Sequence, residues 1–328
     1  MRNAMRAVLC EHYCDPKDLV IRDIPAPAPG EGQVAIDVEA AGLGYADALN
    51  VRGGYQLKRP LPFVPGSEVA GRVAAVGAGV DAALVGRRVM ALSNGALAER
   101  VVASALQTVV LPDNVPSESA AGCLVTYCTA LYGLETCGQL RAGETMLVLG
   151  AAGGVGLAAI DVARALGVRV IAAASSAEKI ALAVKHGAEF GVDYSQAEWR
   201  KALTARNEGH TIDVVYDPVG GPYAETALRC LAPGGRFLVI GFATGEIPRI
   251  PLNLTLLKRC SIVGVDWGGH MRAAPGNNRP ILERLVSLLA SGRLTPTATS
   301  VHALDEAPEM LQRLMDRRSL GKPVVRIA

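Results

Sequence analysis

The strongest chemical signal in the sequence is a run of small residues between an apolar strand and a helix: Leu147-Val148-Leu149-Gly150-Ala151-Ala152-Gly153-Gly154-Val155-Gly156-Leu157. Its spacing is that of a dinucleotide-binding turn, with Ala151 at the first of the three small-residue positions and Gly153 and Gly156 at the others. Without a Cβ at 153 and 154, the backbone can approach a pyrophosphate. A helix that opens there adds unpaired N–H groups and the positive end of its dipole. Gly156 permits close packing of the helix on the strand. Ala152, Gly153, Gly154 and Val155 are therefore the expected phosphate cradle.

The next strand end separates the two nicotinamide dinucleotides. An NAD site places Asp or Glu about 20 residues past the glycines, on the ribose hydroxyls. Here the stretch reads Ala172-Ala173-Ala174-Ser175-Ser176-Ala177-Glu178-Lys179, with no carboxylate at the strand end. Ser175 and Ser176 can donate to a 2′-phosphate, and Lys179 lies one helical turn on. An ordinary solvated helix lysine is the other reading of Lys179, and the missing acid favours NADPH.

Other reactive side chains form weaker patterns. The cysteines are Cys10, Cys14, Cys123, Cys128, Cys137, Cys230 and Cys260. An odd number in a long chain points to free thiols, not a disulfide framework. On a continuous strand Cys10, His12 and Cys14 would share a face, but a metal site there needs a further ligand and a bend. The other reading is a strand running into the Asp15-Pro16 turn. No Ser-His-Asp or Cys-His arrangement has a motif context. His186 and His210 are expected at the surface of the nucleotide domain.

These residues need a scaffold, and the chain is long enough for one. At roughly 150 residues per domain, its 328 residues suggest two domains with real cores. Half of the residues are hydrophobic, which excludes a disordered chain. A net charge of +2 and 4% aromatics argue against nucleic-acid binding. The longest charge-free runs, 119–134 and 145–160, are shorter than the roughly 20 residues of a membrane span. No secretory signal is recognised at the N-terminus, and a cytoplasmic protein is expected.

The elements divide at about residue 117. Before it, short apolar segments punctuated by Gly and Pro predict strands at 6–12, 19–24, 33–41, 68–76, 88–92 and 97–103, with a short helix at 45–51. A helix is predicted over 117–136, with Ser117 as its N-cap. Strands at 145–149, 169–174, 190–193, 213–216 and 236–240 then alternate with helices at 154–166, 177–186, 196–205 and 223–230. That alternation predicts a doubly wound parallel α/β sheet covered on both faces. The tail, with helices at 279–289 and 305–317 and a strand at 323–327, does not continue it.

The whole chain resembles the zinc-independent quinone oxidoreductases of the medium-chain dehydrogenase/reductase superfamily, the zeta-crystallin-like branch. The matching segments are Arg52-Gly53-Gly54-Tyr55, the run from Leu61 through Pro65-Gly66-Ser67-Glu68 to Gly71, Ala151 to Gly156, Ile240-Gly241-Phe242-Ala243, Pro251-Leu252-Asn253-Leu254 and Gly321-Lys322. The resemblance implies a Rossmann-type NADP-binding domain at 123–265, inserted into a chaperonin-10-like β-rich domain formed by 1–122 and 266–328. It also implies an absence of metal. Gly44, Ser67 and Val125 occupy the three zinc-ligand places of the zinc alcohol dehydrogenases, and none brings a strong N or S donor. The four-Cys structural zinc loop is missing as well. The branch often has Asn where Gly44 stands.

The resemblance suggests roles by position. Thr129 matches a threonine near the nicotinamide ribose or phosphate, or it bonds back to its own helix. Tyr194 matches a tyrosine bordering the adenosine phosphate, or it packs on the surface. Gly241, Phe242 and Ala243 match the backbone cradle of the nicotinamide. Arg317, or equally Arg318, is expected to reach the 2′-phosphate. Tyr45, Tyr55 and Trp267 are candidates for the substrate pocket, and no catalytic residue is assigned. The activity implied is NADPH-dependent hydride transfer to a quinone or similar conjugated carbonyl. An enone or enoyl-thioester reductase is the alternative enzyme, and a non-catalytic, crystallin-like NADPH-binding protein is the alternative of another class. Pairing of an edge strand at 261–265 is expected to give a homodimer or a dimer of dimers.

Overall fold

Alternating small and branched apolar residues in Gln33-Val34-Ala35-Ile36-Asp37-Val38 favour an extended strand, and this strand organises the first of two units. The computed structural model describes residues 4–56, 58–274, 276–296 and 298–327. One unit comprises Met1–Val125 with Ala273–Ala328, and the other Thr126–Arg272. The predicted boundaries at 122 and 265 both move towards the C-terminus. Residues 266–272 stay with the nucleotide unit, where His270 stacks on Tyr132 with ring centroids 4.7 Å apart.

The first unit opens with β1 (Ala4–Leu9), β2 (Val20–Pro25), β3 (Gln33–Gly42), α1 (Tyr45–Val51), β4 (Glu68–Val76), β5 (Arg88–Leu92), β6 (Arg100–Ser104), β7 (Thr108–Val110) and α2 (Ser117–Ala121). The first strand stops at Leu9, short of the predicted His12. Residues 11–13 bend, so Cys10, His12 and Cys14 do not share a strand face. The helix predicted over 117–136 is broken. Its N-cap is Pro116, and the Ser117 hydroxyl instead donates to the Glu39 carboxylate. At the break, a Cβ on Gly122 would come within 3.1 Å of Lys322 Cγ and 3.2 Å of Val324 Cγ2.

The second unit is a βα series: α3 (Leu124–Leu131), β8 (Thr145–Leu149), α4 (Gly154–Ala165), β9 (Arg169–Ala174), α5 (Ala177–Lys185), β10 (Phe190–Asp193), α6 (Trp199–Arg206), β11 (Ile212–Asp217), α7 (Ala224–Cys230), β12 (Leu231–Val239), α8 (Asn253–Lys258), β13 (Ser261–Gly264) and α9 (Trp267–Ala273). Helix α3 continues into a π turn over Tyr132–Cys137. Among the described residues the strands make a parallel sheet in the order β10-β9-β8-β11-β12-β13. Strand β8 is buried along its whole length, and β9 is buried and apolar from Val170 onward, as expected of strands covered on both faces. The strand order reverses between β8 and β11. In such sheets ligands bind beyond the carboxyl ends at that switch point.

The chain then returns to the first unit with α10 (Arg279–Ala290), β14 (Ser300–Ala303), α11 (Ala307–Met315) and β15 (Pro323–Arg326). Strand β15 lies between β14 and β3, in the order β14-β15-β3-β4-β5-β7, with β6 also paired to β3. Both ends of the chain thus build one sheet. Lys322, just before β15, pairs with Glu68 at 2.5 Å inside it. Among the described residues no helix is long and apolar enough to cross a membrane.

Candidate nucleotide-binding site

The turn after β8 has the shape that its glycines allow. Gly150 sits at φ +58°, a conformation that side chains rarely adopt. Gly153 precedes α4 as its N-cap, in extended conformation and with no side-chain cap. The amides of the first helical turn, from Gly154 onward, have no intrahelical carbonyl to bond. Gly153 is exposed, and Gly154 and Val155 are half-buried, whereas Ala151 and Ala152 are buried. A bare, positively polarised helix start is therefore presented to an anion. A Cβ on Gly156 would sit 2.4 Å from the Gly150 carbonyl oxygen and 2.8 Å from the Ala151 Cα. The helix can begin this close to the strand only if residue 156 is glycine.

At the end of β9, Lys179 Nζ donates to Ser175 Oγ at 3.0 Å. The Ser176 hydroxyl caps α5 by accepting from the Lys179 amide at 3.3 Å. Ser176 therefore has a structural task, and its own proton stays available to donate elsewhere. Tyr194 follows β10. Its amide donates to Ala174 O at 3.0 Å, and its ring meets Tyr223 with centroids 4.3 Å apart. Lys179, Ser175, Ser176 and Tyr194 are thus brought to one end of neighbouring strands β9 and β10.

Beyond β12, two of the three amides expected to cradle the nicotinamide are engaged within the unit. Gly241 N donates to Asp217 O at 3.3 Å, and Ala243 N donates to Pro218 O at 3.1 Å. Phe242 is 38% exposed. Thr129 lies half-buried on α3. Trp267 is a core residue at the start of α9, only 7% exposed.

One residue of this end was not singled out by sequence reasoning. Asp217, at the end of β11, is 2% exposed, and its Oδ1 accepts from the amides of Val219 (2.8 Å) and Gly220 (2.9 Å). Burial raises its pKa against the lowering effect of those amides. It holds the loop in which Gly220 and Gly221 take φ +66° and +62°. The available signal was an acid at a parallel-strand end, followed by Pro218-Val219-Gly220-Gly221. His186 also differs from expectation. It is not a free surface residue: Nδ1 lies 3.7 Å from Asp161, which accepts a 2.5 Å hydrogen bond from Tyr127. His210 is exposed.

The remaining candidates belong to the other unit. Tyr45 is half-buried at the start of α1, Tyr55 is 37% exposed, and Arg317 follows α11 at φ +58°. At the zinc-ligand places the structure has protein hydrogen bonds. Ser67 Oγ donates to Asp47 Oδ1 at 2.5 Å, Gly44 N to Asp47 Oδ2 at 2.9 Å, and Val125 N to Glu68 Oε2 at 2.8 Å. Burial raises the Glu68 pKa, partly offset by Lys322 and the Val125 amide. These donors do not fit a catalytic zinc: glycine and valine side chains offer none, and the serine hydroxyl is engaged. Among the described residues, no group of three His, Cys, Asp or Glu side chains is placed to hold a metal ion.

Two family models cover the chain: the alcohol dehydrogenase GroES-like domain over residues 30–164 and the zinc-binding dehydrogenase domain over 154–285. The mouse quinone oxidoreductase-like protein 2 is 38% identical over 97% of this chain and 91% of its own. The Pseudomonas aeruginosa quinone oxidoreductase is 35% identical over 95% of this chain and 97% of its own. The chain belongs to the quinone oxidoreductase family of the medium-chain dehydrogenase/reductases. A mycobacterial relative solved in complex with NADPH is 34% identical, with a TM-score of 0.89 over 98% of this chain and 99% of that one.

The packing at Gly156 gives a direct prediction. Gly156→Ala should destabilise the nucleotide unit by about 1–3 kcal/mol, the usual cost of overpacking a tight contact. Nucleotide affinity should fall with it, because the first-turn amides are displaced. Thermal unfolding and dinucleotide titration of the purified variant test both effects.

Proposed function

We propose that this protein is an NADPH-dependent oxidoreductase that reduces a quinone or similar conjugated carbonyl without zinc. The observation that carries the cofactor choice is the Lys179–Ser175 contact at a strand end that has no carboxylate. The NADPH-bound mycobacterial relative supports it. When bound, NADPH supplies a hydride to an electrophilic carbon. The amides of Gly154 and Val155, at the positive end of α4, hold the pyrophosphate. Lys179 and the hydroxyls of Ser175 and Ser176 hold the 2′-phosphate, and Tyr194 borders the adenosine. Asp217 keeps the 218–221 turn in shape, and the 241–243 segment folds back on that turn.

The side chains at Gly44, Ser67 and Val125 support the choice of substrate class. Because these positions provide no zinc site, the chain's own residues offer no Lewis acid for an unactivated carbonyl. Quinones need none, since they accept a hydride and a proton to give an aromatic hydroquinone. Quinone oxidoreductases among the relatives support this choice. The test follows NADPH oxidation with a panel of quinones, enones and enoyl thioesters, with and without a chelator. Quinones are expected to be the fastest substrates, unaffected by chelation. Faster turnover of an enone or thioester would reassign the substrate, loss of activity on chelation would refute zinc independence, and no turnover would leave a binding protein.

Charge sets a magnitude for the cofactor contact. A hydrogen bond to a charged group contributes about 1.5–3 kcal/mol. Lys179→Ala should therefore weaken NADPH by about ten- to a hundred-fold and leave NADH nearly unchanged. Ala174→Asp should shift preference towards NADH, since a carboxylate repels the 2′-phosphate and accepts from ribose hydroxyls. Dissociation constants from fluorescence quenching decide it, and equal weakening of both cofactors by Lys179→Ala would refute the NADPH assignment.

Assembly follows from the sheet edge. Among the described residues strand β13 pairs only with β12, and Ile262 on it is exposed. In the same unit Leu252, Leu256 and Leu257 are 70–77% exposed. An unpaired edge and bare leucines favour burial against a second copy. A two-fold homodimer, or a multiple of it, is expected by light scattering at micromolar protein, and a monomer would count against it.

A further inference from the structure

Neither the backbone nor close packing requires glycine at position 44. The residue precedes α1 with φ −126° and ψ 154°, extended values that any residue adopts. Serine, asparagine or aspartate would cap the helix better. A Cβ on Gly44 would lie 3.2 Å from Asp47 Oδ2 and 3.7 Å from Lys322 Nζ, and among the described residues nothing else beyond its chain neighbours comes within 4 Å. Gly42 and Gly156 differ, since a Cβ on either would strike a backbone carbonyl oxygen. At position 44 the missing side chain leaves a small space instead of relieving a clash.

Two charged groups of the same unit border that space, and both are buried. Asp47 is 4% exposed and Lys322 is 8% exposed, whereas Gly44 itself is half-buried. Asp47 Oδ1 accepts from Ser67 Oγ at 2.5 Å, and Oδ2 accepts from the Gly44 amide at 2.9 Å. A carboxylate oxygen has two lone pairs, so Oδ2 can accept once more. Lys322 Nζ carries three N–H donors. Among the described residues Glu68, at 2.5 Å, is the acceptor it meets, and donors remain to be satisfied. The notch therefore offers one acceptor and one donor to whatever enters it.

We propose that Gly44 is a specificity-determining residue, and that its notch takes an alcoholic hydroxyl carried by the substrate. The proposal rests on the quinone reading given above. A hydroxyl both donates and accepts a hydrogen bond through one oxygen atom. Placed near the Cβ position, that oxygen accepts from Lys322 Nζ and donates to Asp47 Oδ2. An anionic group would meet the Asp47 carboxylate, and a cationic one would meet the Lys322 ammonium. A methyl group would leave both buried groups short of a partner. Water can fill the notch in the free protein, and a methyl that displaces it cannot replace its hydrogen bonds. The notch thus favours a hydroxylated substrate over its methyl analogue.

The test compares tetramethyl-1,4-benzoquinone with hydroxymethyl-trimethyl-1,4-benzoquinone. The pair differs by one oxygen, and neither has an open ring position for thiols to attack. NADPH oxidation by the full-length protein gives kcat/KM for each. Dissociation constants for both are measured on the protein loaded with NADP+. Wild type should favour the hydroxymethyl compound by about ten- to a hundred-fold in both measurements, the range of a hydrogen bond to a charged group. Gly44→Ala fills the notch with a methyl group and Gly44→Ser with a hydroxyl, and each, with folding checked by thermal unfolding, should lose that preference. Equal treatment of the two quinones by wild type, or a preference kept by either folded variant, would overturn the proposal. Turnover of neither quinone would overturn the quinone reading instead. The dissociation constants would then decide the notch alone, and equal or undetectable binding would overturn it.

Discussion

The nucleotide unit depends on one close approach, the start of α4 against the turn that follows β8. A single methyl group at residue 156 would collide with the Gly150 carbonyl. Because that methyl is absent, the helix begins directly over the end of the strand. Its free amides and dipole then meet whatever lies beyond the carboxyl ends of the sheet. The switch in strand order between β8 and β11 leaves room there. The strands on one side bring Lys179 and Tyr194, and those on the other bring Asp217 and the 241–243 segment.

The other unit is held by a different constraint, since its sheet needs residues from both ends of the chain. Strand β15 closes against β3, and Lys322 places its ammonium on Glu68 in the interior. A buried pair of this kind is weak evidence for net stability. Removing one partner is costly, however, because it strands the other charge. Gly42 and Gly122 are needed for the same reason of space: a Cβ on Gly42 would lie 2.3 Å from Ala121 O. Small residues and the buried Lys322–Glu68 pair thus help to fasten the returning tail to the part of the unit that precedes the nucleotide unit in sequence.

Much of this was legible in the sequence because its signals are local. The strands at 68–76, 88–92, 145–149, 169–174 and 190–193 and helix α1 fall where apolar runs and Gly or Pro punctuation set them. The glycine turn, the missing acid after β9 and the return of the tail were legible for the same reason. Helices α8 and α9 were not. Helix α8 is short and turns Leu256 and Leu257 outward, so its pattern does not read as an amphipathic face. The helix predicted over 117–136 was misread because its break at Gly122 is set by contact with residues two hundred positions away in the sequence.

The sequence by itself determined the class of fold and the glycine turn that opens α4, because periodicity and glycine spacing act over a few residues. Only the tertiary structure decided which polar groups are already engaged. It gave Ser176 to a helix cap, Asp217 to a turn, Ser67 to Asp47 and Glu68 to Lys322. It also bent the chain after β1, so that Cys10, His12 and Cys14 do not share a strand face. Hydrogen bonds are made between atoms in space, and a residue's type does not say which neighbour will use it. That assignment waits for the fold.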